Sequence, residues 1–270
     1  MTVSGISSRI RGALELKFGA TEARAMERVI FEDVLGLSPV DVAVNPDRGL
    51  PEFVGPKIEK ILARLLGDEP LQYVVGRARF YGLEFEVTPD VLIPRPETAE
   101  LVDMIVDRHG AQRDLRILDA GTGSGCIAVA LARSLKFARI TAIDISEAAL
   151  GVARRNAAAM GVNVDFVCAD MLDCGLAGPW DIIVSNPPYV MESERAEMEP
   201  HVADHEPARA LFVPDDEPMK FYDALLNYAR RVGAGAVYFE INPLCASRFE
   251  GAEIVRDSFG RKRFAVYDPF

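Results

Sequence analysis

Between residues 115 and 184 short apolar runs alternate with amphipathic stretches, and few folds accommodate that rhythm. Residues 115–118, 140–143, 164–167 and 182–184 are rich in Ile, Val and Leu and too short to be helices. Residues 126–135 and 147–160, which lie between them, place apolar side chains three and four apart, the spacing of one helix face. Strand and helix in alternation fold as a parallel sheet with helices on both faces. The expected fold class is therefore α/β, a doubly wound sheet. A helix over 220–231, a strand over 236–241 and a closing pair, 252–255 with 264–267 around the turn at Gly260, extend it.

Upstream the pattern is different. Residues 4–18, 21–36 and 54–67 carry the helical spacing, Ser38-Pro39 opens a further helix, and residues 45–49 form a loop. A small helical domain over residues 1–72 is expected, and it holds no catalytic cluster. Residues 73–92 read as a β-ribbon linker, because 83–87 alternate apolar and polar. Residues 93–270 form the main domain. It begins with Pro96 in the first turn of a helix running to His109, with Glu97, Glu100 and Asp103 near its positive end.

Composition narrows the partners. Hydrophobic residues make up 49% of the 270 and charged residues 26%, as in globular proteins. No apolar run reaches the roughly 18 residues of a membrane span, and the first residues lack a secretory signal, so a cytoplasmic protein with no membrane partner is expected. Cys126, Cys168, Cys174 and Cys245 show no C-x-x-C spacing and read as reduced thiols. The formal net charge of −11 disfavours a partner gripped through phosphates. His201 and His205 have a spacing that a metal can use on a helix, but Pro200 and Pro207 crowd the segment, and no metal is expected.

The polar residues at the strand ends carry the chemistry. After the first strand comes Asp119-Ala120-Gly121-Thr122-Gly123-Ser124-Gly125, where alternate glycines let a ligand approach the backbone ahead of a helix amino terminus. A dinucleotide fingerprint needs a third glycine where Cys126 stands, so pyrophosphate is the weaker reading. The second strand ends at Asp144, suited to a ribose diol, and the third at Asp170, suited to an adenine amino group, with Met171 as an apolar surface for the ring. Three such features on successive strands point to S-adenosyl-L-methionine, with S-adenosyl-L-homocysteine as product. The fourth strand ends in Ser185-Asn186-Pro187-Pro188-Tyr189. Its prolines remove two backbone donors, Asn186 adds an amide oxygen and Tyr189 a flat ring, which together suit a planar NH2 group. An amide and an exocyclic amine both meet that description.

These segments, with Leu35-Gly36-Leu37-Ser38, Pro70-Leu71-Gln72-Tyr73, Phe80-Tyr81-Gly82, Leu92-Ile93-Pro94-Arg95-Pro96-Glu97-Thr98, Glu206-Pro207-x-x-Ala210-Leu211 and Gly260-Arg261-x-Arg263, resemble the HemK/PrmC-type release-factor glutamine N5-methyltransferases. The resemblance runs over nearly the whole chain. Asn-Pro-Pro-Tyr alone is shared with DNA and RNA amino-methyltransferases; Pro-Arg-Pro-Glu-Thr makes the match far more specific. It implies a class I, Rossmann-like S-adenosylmethionine-dependent sheet with a helical N-terminal domain, acting on the Gly-Gly-Gln loop of peptide chain release factors. By the same resemblance, Asn186, Pro187 and Tyr189 are catalytic, and Asn186, Pro187, Pro188 and Tyr189 hold the substrate. Gly121, Thr122, Gly123, Ser124, Gly125, Asp144, Asp170, Met171 and Asn186 bind the cofactor, which Phe80, Arg95, Glu97 and Thr98 wall. A monomer is expected. Adenine N6 methylation of nucleic acid is the alternative enzyme reading, and a non-enzymatic cofactor-binding scaffold is a third. The chain departs from the family at Ala99, at Glu217-Pro218-Met219, and at Asn242-Pro243, where a short stretch stands for a longer helix. An altered far edge of the sheet is expected there.

Overall fold

The computed structural model describes residues 1–270, the side chain of Pro200 excepted, so the reading of Pro200 as crowding the histidine segment lies outside the described residues. The chain forms two compact units, Met1–Gly76 with Pro200–His205 and Arg77–Glu199 with Glu206–Phe270.

The first unit is helical: α1 (Val3–Val29), α2 (Pro39–Val44), α3 (Val54–Leu66) and α4 (Leu71–Val75). Ile6, Ile10 and Leu14 of α1 and Ile58, Leu62 and Leu65 of α3 are buried in its core. The expected pair of helices over 4–18 and 21–36 is one helix kinked at Gly19, whose φ of 80° interrupts the turn without ending it; a π turn, Ile30–Val34, follows. Residues 73–76, expected to open the β-ribbon, are helical instead. Pro70 starts α4, Gly76 ends it in the left-handed region, and Tyr73 and Val74 are buried.

In the second unit the ribbon is β1 (Arg77–Phe80) paired antiparallel with β2 (Leu83–Glu86). The main sheet consists of β3 (Arg116–Ala120), β4 (Arg139–Asp144), β5 (Asp165–Cys168), β6 (Ile182–Ser185), β9 (Ala236–Glu240), β10 (Glu253–Arg256) and β11 (Lys262–Tyr267). Between β6 and β9 the two-residue strands β7 (Val190–Met191) and β8 (Phe212–Val213) pair with each other. The strand order is β10-β11-β9-β6-β3-β4-β5, with β9, β6, β3, β4 and β5 parallel and β11 and β10 added antiparallel at the far edge.

The two-residue period of each strand feeds two apolar layers. Ile117, Ile182 and Tyr238 pack with Leu101 and Ile105 of α5 (Pro96–His109) and with Ile127 and Leu131 of α6 (Cys126–Ser134). Leu118, Ile183, Val237 and Phe239 pack with Tyr222, Leu225 and Leu226 of α8 (Lys220–Val232). Helix α7 (Glu147–Ala159) connects β4 to β5. The chain leaves β3 toward β4 on one side and returns to β6 on the other, so the carboxyl end of β3 is a topological switch point, where doubly wound sheets bind ligands. Among the described residues, no helix is long and apolar enough to cross a membrane.

Candidate functional site

Strand register brings the polar residues to one edge. Ala120 stands beside Ile143 and Ser185, and Ser185 beside Phe239; one residue further on, Gly121, Asp144, Asn186 and Glu240 follow in line. A cavity of about 400 Å³ opens there. Gly121, Gly123, Asp144, Ile145, Ser146, Asp170, Met171, Leu172, Asn186 and Pro188 line it, as do residues 90–92, Pro207, Arg209, Ala210 and Phe221.

Backbone amides shape the glycine loop. Gly121 and Thr122 both donate to the Ile143 carbonyl at 2.9 Å, and Gly123 donates to Asp144 Oδ2 at 2.9 Å. Ser146 donates to Asp144 Oδ1 at 2.9 Å, so Asp144 ties the loop to the next helix. Each of its oxygens keeps a lone pair for a ligand. Gly121 has φ 77°, and a Cβ there would lie 2.6 Å from Met171 Cε, so only glycine leaves that wall open. Asp170 Oδ1 accepts from Leu172 N at 2.8 Å. Ile145 is 56% exposed and Leu172 37%, two large apolar side chains left uncovered at the cavity beside acidic groups. Apolar flanks with carboxylates at their margin fit a purine nucleoside.

On the other side of Asn186 lies a buried polar chain. Asn186 Nδ2 donates to Thr98 Oγ1 at 3.2 Å, Thr98 Oγ1 donates to Glu240 Oε2 at 2.7 Å, and Tyr189 Oη donates to Glu240 Oε1 at 3.1 Å. Arg263 Nη1 reaches Tyr189 Oη at 3.4 Å, and Asn242 Nδ2 donates to the Tyr189 carbonyl at 3.1 Å. Glu240 is 1% exposed. Burial pushes its carboxyl above the ordinary range, while Thr98, Arg263 and Tyr189 pull it back and Glu97 pushes it up. Burial and the neighbouring Glu240 raise the Tyr189 hydroxyl as well, so it stays a donor. Beneath the loop, Asp119 is fully buried and accepts from Thr122 Oγ1 at 2.6 Å; burial lifts its carboxyl to about 7.

Residues 10–76 match the PrmC N-terminal domain family, and residues 98–204 match the Methyltransferase small domain family. The chain is 41% identical over 271 residues to the release factor glutamine methyltransferase of Bacteroides thetaiotaomicron, covering 96% of this chain and 97% of that one. It belongs to the release factor glutamine methyltransferases. A second family member, from Flavobacterium psychrophilum, is 36% identical over 278 residues, covering 97% and 98% of the two chains. The hMettl16 catalytic domain, solved in complex with MAT2A 3′UTR hairpin 6, shares the fold at a TM-score of 0.53 and 17% identity, covering 70% of this chain and 77% of that one.

In this release factor glutamine methyltransferase family member, the structure gathers some of the expected site residues and sets others apart. Gly121, Gly123, Asp144, Asp170, Met171, Asn186 and Pro188 share the cavity wall. Thr122 and Ser124 are buried; Thr122 turns to Asp119, and the Ser124 carbonyl accepts from Asn156. Gly125 caps α6 at φ 81° against Ala153. Phe80 stands in the hydrophobic core, edge-to-face with Phe85, rather than on the cavity wall, because its ribbon strand turns that side inward. Arg95 pairs with buried Glu206, which also accepts from Ile93 N at 3.0 Å. Glu97 lies in the first turn of α5 and Thr98 beneath Asn186. Pro187 is buried, and Tyr189 packs against the layer of Phe239. Ile145, Leu172, Glu206 and Glu240 were not singled out for these roles by their sequence context. Ile145 and Leu172 follow acidic strand ends by one and two residues, the only local signal they carry.

Proposed function

We propose that this chain transfers a methyl group from S-adenosyl-L-methionine to the side-chain amide nitrogen (N5) of the glutamine in the Gly-Gly-Gln loop of peptide chain release factors. The observation that carries the reading is Asn186, held by Thr98 at the rim of a cavity that fits a nucleoside. When bound, S-adenosylmethionine supplies a methyl carbon made electrophilic by its sulfonium. Asp144 holds the ribose diol, Asp170 the adenine amino group, and Ile145, Met171 and Leu172 the ring faces.

An amide nitrogen is a weak nucleophile because its lone pair is delocalised into the carbonyl. Asn186 Oδ1 and the Pro187 carbonyl accept the two N–H bonds of the glutamine, which orients the nitrogen and favours its pyramidal form. Tyr189 packs the amide plane. As the nitrogen gains the methyl group, the methyl–sulfur bond breaks and S-adenosyl-L-homocysteine leaves; the nitrogen then releases one of its protons to water, so no strong base is needed. With labelled S-adenosylmethionine, purified release factor and, separately, DNA and RNA, label is expected in the release factor alone. Label in nucleic acid and not in protein would reassign the substrate.

Asp144→Ala is expected to weaken S-adenosylmethionine binding by roughly 1.5–3 kcal/mol, the range for lost charge-assisted hydrogen bonds. Calorimetry giving unchanged affinity would take Asp144 out of the site. The helical unit serves partner docking in this reading, since its sequence carries neither a glycine loop nor a catalytic cluster. A chain lacking residues 1–70 is expected to bind cofactor but to methylate intact release factor more slowly. A full rate in that truncated chain would place docking elsewhere.

A further inference from the structure

Asn186 can accept from a substrate amide only if its oxygen, not its nitrogen, faces the cavity. The two ends of an amide have the same shape, so packing does not choose between them; hydrogen-bond direction does. The direction here begins at Glu240. An ionised carboxylate only accepts, and both of its oxygens are in use, Oε2 by the Thr98 hydroxyl at 2.7 Å and Oε1 by the Tyr189 hydroxyl at 3.1 Å. Thr98 has a single proton and spends it on Glu240. Its oxygen therefore meets Asn186 as an acceptor, and the group that faces it at 3.2 Å is Nδ2. The remaining end, Oδ1, is the one available to the cavity that Asn186 lines.

We propose that Glu240 is a positioning residue that sets the amide polarity of Asn186 through Thr98, and that it anchors Tyr189 at the other end of the same tetrapeptide. The function rests on the reading of Asn186 as the acceptor for the glutamine amide. The carboxylate is well placed for this. It is 1% exposed, so water does not compete for its lone pairs, and its own carbonyl accepts from Tyr222 Oη at 3.1 Å, which steadies the end of β9. Burial raises the Glu240 carboxyl, and the Thr98 and Tyr189 hydroxyls it accepts from, with Arg263 in contact with Tyr189 Oη at 3.4 Å, act against that rise and favour the ionised form. Thr98 itself is fixed by the first turn of α5 and is 2% exposed.

The test follows the proton rather than the rate alone. In a chain labelled with 15N-asparagine, Asn186→Asp identifies the Asn186 side-chain resonance, and hydrogen exchange of its two Nδ2 protons is then measured without cofactor. One of the two is expected to exchange slowly in the parent chain. Thr98→Val deletes the acceptor and is expected to abolish that protection, while Thr98→Ser restores it. Glu240→Gln can turn its own amide nitrogen toward Thr98, which then donates back to Asn186, so the second orientation becomes populated and protection falls. The same variant is expected to lose roughly tenfold to a hundredfold in kcat, by analogy with the loss of the outer hydrogen-bond partners that orient metal ligands. Its affinity for S-adenosylmethionine is expected to stay within about threefold, which separates positioning from cofactor binding. A slow Nδ2 proton retained in both Thr98→Val and Glu240→Gln would overturn the polarity relay. Protection that behaves as expected in a protein that methylates no glutamine would uphold the relay and sink the functional reading instead.

Discussion

Replacing Asn186 with alanine is expected to lower kcat by roughly 10²–10³, the effect of losing one preorganised polar contact in a transition state. The alanine variant removes both the acceptor for the substrate amide and the partner of Thr98. Affinity for S-adenosylmethionine should change much less, because the acidic groups and apolar flanks assigned to the cofactor come from the ends of β4 and β5. Asn186→Asp is the informative companion. It keeps the size and an acceptor, but its negative charge beside a sulfonium stabilises the ground state, so kcat falls with little loss of binding. Single-turnover rates for the alanine variant within about threefold of the parent would leave Asn186 as a turn residue between a strand and two prolines.

Phe239→Ala is expected to destabilise the sheet unit by roughly 3–5 kcal/mol, the range for emptying a buried aromatic site. Phe239 is 0% exposed and meets Tyr222 edge-to-face at 5.3 Å, with Phe249 completing the cluster. It also precedes Glu240, so a cavity at this point loosens the carboxylate that reaches Thr98 and Tyr189. Trp180, the single tryptophan, lies in the same apolar layer, which makes its fluorescence a direct reporter of denaturant unfolding. A loss below about 1 kcal/mol would show that the layer between α8 and the sheet collapses around the gap rather than holding it open.

The sheet was legible because its strands are buried on both faces, and such strands read as unbroken apolar runs. Ile182-Ile183-Val184 is one, and the polar residues beyond it announce the edge. The glycine loop was legible for a similar reason: backbone conformation that only glycine tolerates leaves a trace in residue type. Other features leave none. Glu240 looks like any charged residue at a strand end until β9 is laid beside β6, and the Thr98 that it holds is 142 residues away in sequence. Residues 71–75 are too short to display a helical period, so the apolar Tyr73-Val74-Val75 reads as strand, whereas Pro70 and Gly76 close it into one turn. The helical spacing over 4–18 and 21–36 leaves a gap that reads as a break between two helices, yet α1 continues past the kink at Gly19, with Ala23 and Met26 buried in the core beyond it. At the far edge, where the sequence departs from the family pattern, residues Pro243–Arg248 make a short 3₁₀ turn, and β11 pairs with β9 and β10 with β11.

The reading stands or falls on where the methyl group goes. Incubating the purified chain with S-adenosylmethionine and a peptide chain release factor, then locating the product by tandem mass spectrometry, tests it most directly. One methyl group on the side-chain nitrogen of the Gly-Gly-Gln glutamine is the predicted result. A methyl group on any other residue, or a Gly-Gly-Gln peptide that stays unmodified, would contradict it.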